Sequence, residues 1–166
     1  PNGERHYENY QSCLHERIWA QLSVRDYLWG KFVWCMFDFP SAGRKEGDTA
    51  GINDKGLCTR ERITKDAYWF YRSVWSNSWT CRITEKRFRR RAALVPVVKA
   101  YANAVRVELF VNGESRGAGR NTDGRLPTVF VWENVQLEQG RENSVTIRAE
   151  YSDGSTLEDH ASWFGE

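Results

Sequence analysis

The chain has 166 residues, with 24 Lys and Arg against 22 Asp and Glu, for a formal net charge of +2. That near balance gives no strong pull toward nucleic acid or an anionic membrane, and no apolar run is long enough to span a bilayer. Aromatic residues make up 14% of the chain, including 8 Trp, a content that serves either an aromatic core or a stacking surface for flat ligands such as sugar rings.

The size suits one ordinary domain or two small ones. A start at Pro1, with neither Met nor a leader pattern, reads as a piece of a longer polypeptide and leaves the compartment open. Residues 7 to 22 place Tyr10, Leu14, Ile18, Ala20 and Leu22 near helical spacing and predict a helix that ends before Ser23. The run from Leu28 to Phe39 is almost wholly aromatic and aliphatic, with Asp38 near its end. Its stretch 29–37 reads as a strand buried on both faces, the kind found in parallel sheets. Such a strand needs neighbours, and its surface around Phe32 to Phe37 is expected to be open in this chain alone. A long polar loop follows from Pro40 to Gly56, and loops of that length are often functional. A second helix is expected from Thr64 to Trp75, with Ala67, Tyr68, Phe70, Tyr71 and Val74 on its apolar face. Helix, strand, long loop and helix form the repeating unit of an α/β barrel, in which active sites lie at the carboxyl ends of strands.

The basic run Lys86, Arg87, Arg89, Arg90 and Arg91 around Phe88 reads as a solvated strand and linker in preference to a nucleic-acid patch, given the balanced charge. From about residue 95 the pattern is all-β. Val105, Val107, Leu109 and Val111 alternate with polar or outward positions, and Asn112-Gly113 is a tight-turn signal. Phe130 and Trp132 mark a further strand. Val145, Ile147, Ala149 and Tyr151 mark another, before Asp153-Gly154 and a last strand to Trp163. This spacing suggests a small immunoglobulin-like sandwich. Cys13, Cys35, Cys58 and Cys81 have no zinc-type spacing, so free and mostly buried thiols are favoured over a disulfide framework or metal site. His6, His15 and His160 lack any supporting constellation, so no metal and no cofactor is implied.

The segments Trp29-Gly30-x-Phe32-Val33-Trp34-x-Met36-Phe37-Asp38-Phe39, Glu46-Gly47-Asp48 and Gly51-Ile52-Asn53-Asp54-Lys55-Gly56-Leu57 resemble the end of the catalytic barrel in glycoside hydrolase family 2, above all its β-galactosidases. Lys65 to Ser76 is similar to the family's last barrel helix, and Val98 to Gly113 to the β-sandwich that follows. The resemblance implies α/β followed by all-β: the final helix–strand–helix of a (β/α)8 barrel over 1–79, a linker and first strand over 80–94, and an immunoglobulin-like β-sandwich over 95–166.

The resemblance further implies that the parent is a retaining hydrolase of terminal β-glycosidic bonds, β-galactosidase-like. A β-glucuronidase, or a non-catalytic carbohydrate-binding or architectural sandwich, stands as the alternative. Its partners would be the carbohydrate substrate and the remainder of the parent barrel, with no nucleic acid and no membrane; a periplasmic or secreted parent fits this type. The two catalytic glutamates would lie upstream. Glu4, Glu8 and Glu16 match only by residue type, so no catalytic residue is assigned and the chain alone is expected to be inactive.

Four residues are expected at the sugar. Trp34 matches the family's pocket-floor tryptophan, against a reading as plain core. Asp38 either accepts sugar hydroxyls or holds the loop. Asn53 and Lys55 form the Asn-x-Lys pair that in the family's β-glucuronidases meets the sugar carboxylate; galactosidase-like members also carry it, and it equally shapes a turn. Cys35 departs from the family's usual Asn or Asp, which puts full activity of the parent in question.

Overall fold

The computed structural model describes residues 7–45, 47, 49–121 and 123–166. It divides into two compact units, residues 1–70 and 71–166. The described residues are mostly β, with two long helices.

In the first unit, α1 (Glu8–Leu22) forms as its spacing predicts. Of its expected apolar positions, however, only Ala20 is buried. Tyr10, Leu14 and Ile18 are exposed, whereas Gln11, Ser12, Glu16 and Ala20 are buried. A helix buries a polar face only where hydrogen bonds await it: Gln11 donates to the Lys55 and Gly56 carbonyls, and Ser12 to the Asn9 carbonyl.

The expected strand at 29–37 does not form. Its only pairing is an isolated parallel bridge between Phe37 and Cys58. Trp29, Phe32 and Trp34 are 94%, 84% and 72% exposed. The sequence composition suits a central parallel strand, but such a strand is held by ladders on both edges, and the described residues offer only the short segment Leu57–Cys58. The strand reading is therefore corrected for this chain, while the open apolar surface expected there is present. Trp29 and Phe32 meet edge to face at 5.9 Å.

The long loop is partly ordered. Strand β1 (Phe39–Pro40) pairs antiparallel with β2 (Ile52–Asn53), aligning Phe39 with Asn53. The Ser41 N–H donates to the Gly51 carbonyl at 2.8 Å and closes the loop beneath them. Helix α2 (Asp66–Trp75) follows.

The second unit holds two sheets. One runs β4 (Arg90–Arg91), β11 (Thr156–Gly165), β10 (Glu142–Glu150), β6 (Arg106–Val111), β7 (Glu114–Ala118). The other runs β3 (Cys81–Ile83), β5 (Leu94–Ala102), β9 (Val129–Gln136), β8 (Arg120–Asn121). All pairings are antiparallel except β4 with β11.

The inward residues form one core that includes Val98, Leu109, Trp132, Ile147 and Trp163. This follows from the two-residue side-chain period of each strand. The chain changes sheets at Gly119, where an added Cβ would meet the Trp132 ring at 2.7 Å. Asn112 and Gly113 have φ of 53° and 84°, as the tight turn requires. The Asp153-Gly154 connection is longer: Glu150 pairs with Thr156, and only Gly154 of the two has positive φ.

Three cations of the basic run are tied within this unit. Lys86 pairs with Asp159 at 2.8 Å, Arg91 with Glu85 at 2.7 Å, and Arg90 with Glu166. All four cysteines are free, but only Cys58 is buried; Cys13, Cys35 and Cys81 are half-buried. Burial still pushes the Cys81 thiol up to about 12.

An exposed surface of this apolar content favours association. The 166-residue chain made by itself is expected to bind the dye ANS and to sediment as more than a monomer. A monodisperse species that leaves the dye dark contradicts that expectation.

Candidate functional site

The site is built around the turn 53–56 in the first unit. Five of its polar backbone atoms are engaged by side chains. The buried Asn53 carboxamide oxygen accepts the Lys55 N–H at 3.2 Å, an Asx-type contact that fixes the turn. Asp38 Oδ1 accepts the Gly56 N–H at 2.8 Å. Lys65 Nζ donates to the Asp54 carbonyl at 2.7 Å. Gln11 Nε2, from α1, donates to the Lys55 and Gly56 carbonyls, each at 3.0 Å.

The same turn is pressed against the segment that precedes β1. Leu57 N–H donates to the Cys35 carbonyl and Cys58 N–H to the Met36 carbonyl, each at 2.9 Å; Asp38 N–H returns to the Cys58 carbonyl at 3.0 Å. Gly56 sits at the closest approach. A Cβ there would lie 2.4 Å from the Asp38 nitrogen and the Phe37 carbonyl carbon. Only glycine permits backbone segments to pass so near.

Lys65 and Asp38 form an ion pair at 2.8 Å, with side chains 10% and 9% exposed. The pair neutralises itself in a poorly solvated place, and each partner has a further backbone hydrogen bond, as a buried pair requires. Arg62 lies over the Phe37 ring at 3.6 Å and adds a second cation nearby. Burial, and next the Asp38 carboxylate, push the Cys35 thiol above its ordinary value. Cys35 is therefore a poor nucleophile; its thiol donates to the Phe37 carbonyl at 3.3 Å.

The four expected residues are placed as follows. Trp34 is mostly exposed and meets Phe39 edge to face at 6.1 Å, while Phe39 is the register partner of Asn53. Asp38 holds the turn and Lys65. Asn53 is buried inside the turn it shapes. Lys55 is half-buried, and its ammonium has no hydrogen-bond or ion-pair partner among the described residues. Glu46 and Asp48, with Glu4 and His6, lie outside the described residues. Glu8 is committed to structure: it accepts the Asp66 N–H at 2.6 Å. No metal-binding cluster occurs among the described residues, and no helix is long and apolar enough to cross a membrane.

Gln11 and Lys65 were not singled out by the sequence. Gln11 lies 44 positions from the carbonyl it holds and stands in a helix whose polar residues read as a solvent face. Lys65 stands immediately before α2.

The turn thus holds the half-buried Lys55 on a fixed backbone, and the Trp34 indole is exposed on the segment that precedes β1. Residues 95–157 match a family described as a domain of unknown function, DUF4982. A β-glucuronidase of Bacteroides fragilis is 42% identical over 148 residues, covering 88% of this chain and 21% of its own length. A β-galactosidase of Bacteroides ovatus is 26% identical, over 80% of this chain and 16% of its own length. The crystal structure of an FMN-binding β-glucuronidase from Faecalibacterium prausnitzii L2-6 superposes with a TM-score of 0.85 at 30% identity, covering 98% of this chain and 24% of that one.

The chain is thus homologous to part of the β-glucuronidases and β-galactosidases of the glycoside hydrolase family 2 type. It spans about a fifth of the length of the relatives it matches.

Proposed function

We propose that the polypeptide carrying this chain is a retaining β-glycosidase, and that its sugar is a β-glucuronide. The observation that carries the sugar is the Lys55 ammonium. It stands without a protein anion among the described residues, on a turn held at five backbone atoms. A fixed, half-buried cation of that kind suits a sugar carboxylate, because a charge-assisted hydrogen bond is worth more than a neutral one. Trp34 is the floor for the ring's C–H face. Asn53 serves by shaping the turn, and Asp38 serves beside the pocket by holding it. A β-galactoside is the second reading, favoured by the β-galactosidase relative that aligns over most of the chain.

In this proposal residues 1–79 are the last helix–strand–helix of a (β/α)8 barrel. The unpartnered stripe on α1 and the open stretch 29–36 support it, since both are surfaces that the remaining barrel would cover. Residues 80–94 are linker and first strand, and 95–166 an immunoglobulin-like sandwich. Trp132 and Trp163 are 5% and 2% exposed, which favours an architectural sandwich over a carbohydrate-binding one. Retention needs two carboxyl groups about 5 Å apart across the scissile bond. Glu8 and Glu16 are built into α1, so both catalytic groups belong to the rest of the polypeptide.

The test is hydrolysis of chromogenic β-D-glucuronide and β-D-galactoside by the full-length polypeptide and by the 166-residue chain. The expected result is glucuronide cleavage by the full-length protein alone. Galactoside preference moves the assignment to the second reading. Turnover by the short chain contradicts the placement of the catalytic pair, and inactivity of both contradicts the glycosidase.

A further inference from the structure

We infer that Gln11, together with the Asp38–Lys65 pair, acts as a clamp that positions Lys55 and thereby sets selectivity for an anionic sugar; this rests on the glucuronide reading above. The inference comes from where the hydrogen bonds go. An ordinary surface turn satisfies its backbone with water or with itself. Here two consecutive carbonyls, that of the Lys55–Gly56 peptide and the next one, of Gly56, are both held by one carboxamide, at 3.0 Å each. The same peptide's N–H is held by Asp38, and the preceding carbonyl by Lys65.

Gln11 is buried, and a primary amide has two N–H donors. Both are therefore used on this one turn. That accounts for the inverted burial of α1: its polar face turns inward to reach the turn, and its apolar stripe is left outside. The three side chains come from α1, from the segment before β1, and from the start of α2. Each therefore fixes the turn to a different element.

The consequence concerns discrimination and not the chemical step. A lysine on a long flexible stem recognises a carboxylate well only if its backbone is fixed, since the order must exist before the ligand arrives. Loosening the turn lets Lys55 move away from the carboxylate. A neutral sugar, which asks nothing of Lys55, loses little. Displacement of about 1 Å at a positioning contact costs up to roughly a hundredfold in rate.

The experiment uses the full-length polypeptide with Gln11→Met, which keeps the side chain's length and removes both donors. Lys55→Ala is the reference. Steady-state kinetics are measured on p-nitrophenyl β-D-glucuronide and β-D-galactoside, with thermal unfolding as a check on the fold. The expected result is a fall of about tenfold or more in the ratio of kcat/KM for glucuronide to that for galactoside, carried mainly by KM for the glucuronide. Gln11→Met lowering both substrates alike overturns the clamp and leaves Gln11 a structural residue. If Lys55→Ala removes the preference and Gln11→Met does not, the clamp fails while the glucuronide reading stands. If wild type shows no glucuronide preference for Lys55→Ala to remove, the glucuronide reading fails and the clamp with it. Should Gln11→Met not fold, Gln11→Glu, which keeps the side chain's shape and as a carboxylate has no donor, is read by the same ratio.

Discussion

Replacing Lys65 with methionine is expected to destabilise the first unit by about 3–5 kcal/mol. The ammonium is buried between Asp38 Oδ1 at 2.8 Å and the Asp54 carbonyl at 2.7 Å. Methionine fills much of the space but leaves the Asp38 carboxylate, itself 9% exposed, with the Gly56 N–H and no cation. A buried charge stripped of its partner costs far more than the pair contributes net. Pairing Lys65→Met with Asp38→Asn is therefore expected to recover more than half of the loss, because the amide oxygen still accepts from Gly56 without a charge to solvate. Urea denaturation of the single and double variants in the full-length protein measures this as a double-mutant cycle. A single variant within about 1 kcal/mol of wild type, on the scale expected of an exposed pair, contradicts the buried-pair account.

The second large effect is on activity. Lys55→Ala in the full-length polypeptide is expected to lower kcat/KM for a β-glucuronide by roughly thirtyfold to a few thousandfold. Truncating one partner of a hydrogen-bonded charge pair costs about 2–5 kcal/mol, and each 1.4 kcal/mol is about a factor of ten. The galactoside carries a hydroxymethyl group where the glucuronide carries a carboxylate, so its hydrolysis is expected to fall by less than about tenfold, the scale of one neutral hydrogen bond. Stability should barely change, because the ammonium has no partner among the described residues to lose. Equal losses on the two substrates contradict a carboxylate-binding role.

How much of this was legible depended on whether a segment carries its own partners. The sandwich strands do. Val107, Leu109 and Val111 alternate inward and meet Val145, Ile147 and Ala149 in register on the neighbouring strand, so period and turn chemistry sufficed. The stretch 29–37 does not. Its composition speaks for a central strand, yet the described residues provide only Leu57 and Cys58 as backbone partners. The helix α1 was legible in its bounds but not in its orientation. Apolar spacing points to a buried stripe, whereas Gln11, Ser12 and Glu16 turn inward.

The site divides in the same way. Trp34, Asp38, Asn53 and Lys55 were visible through residue type and resemblance. The contacts that fix them are tertiary: Gln11 reaches across 44 positions and Lys65 across 27 to Asp38. No local spacing encodes such pairs.

On the proposed function, this chain shapes the sugar end of a retaining glycosidase whose catalytic carboxylates lie elsewhere in the polypeptide. Retention proceeds through a covalent glycosyl–enzyme ester, which a mechanism-based inactivator of glucuronide configuration traps. The most direct measurement is peptide mapping of the full-length protein after such labelling. The expected result is one equivalent of label, on a glutamate outside residues 1–166, with labelling slowed in Lys55→Ala. Label on Glu8, Glu16 or any other residue of this chain, or complete resistance to the inactivator, contradicts it.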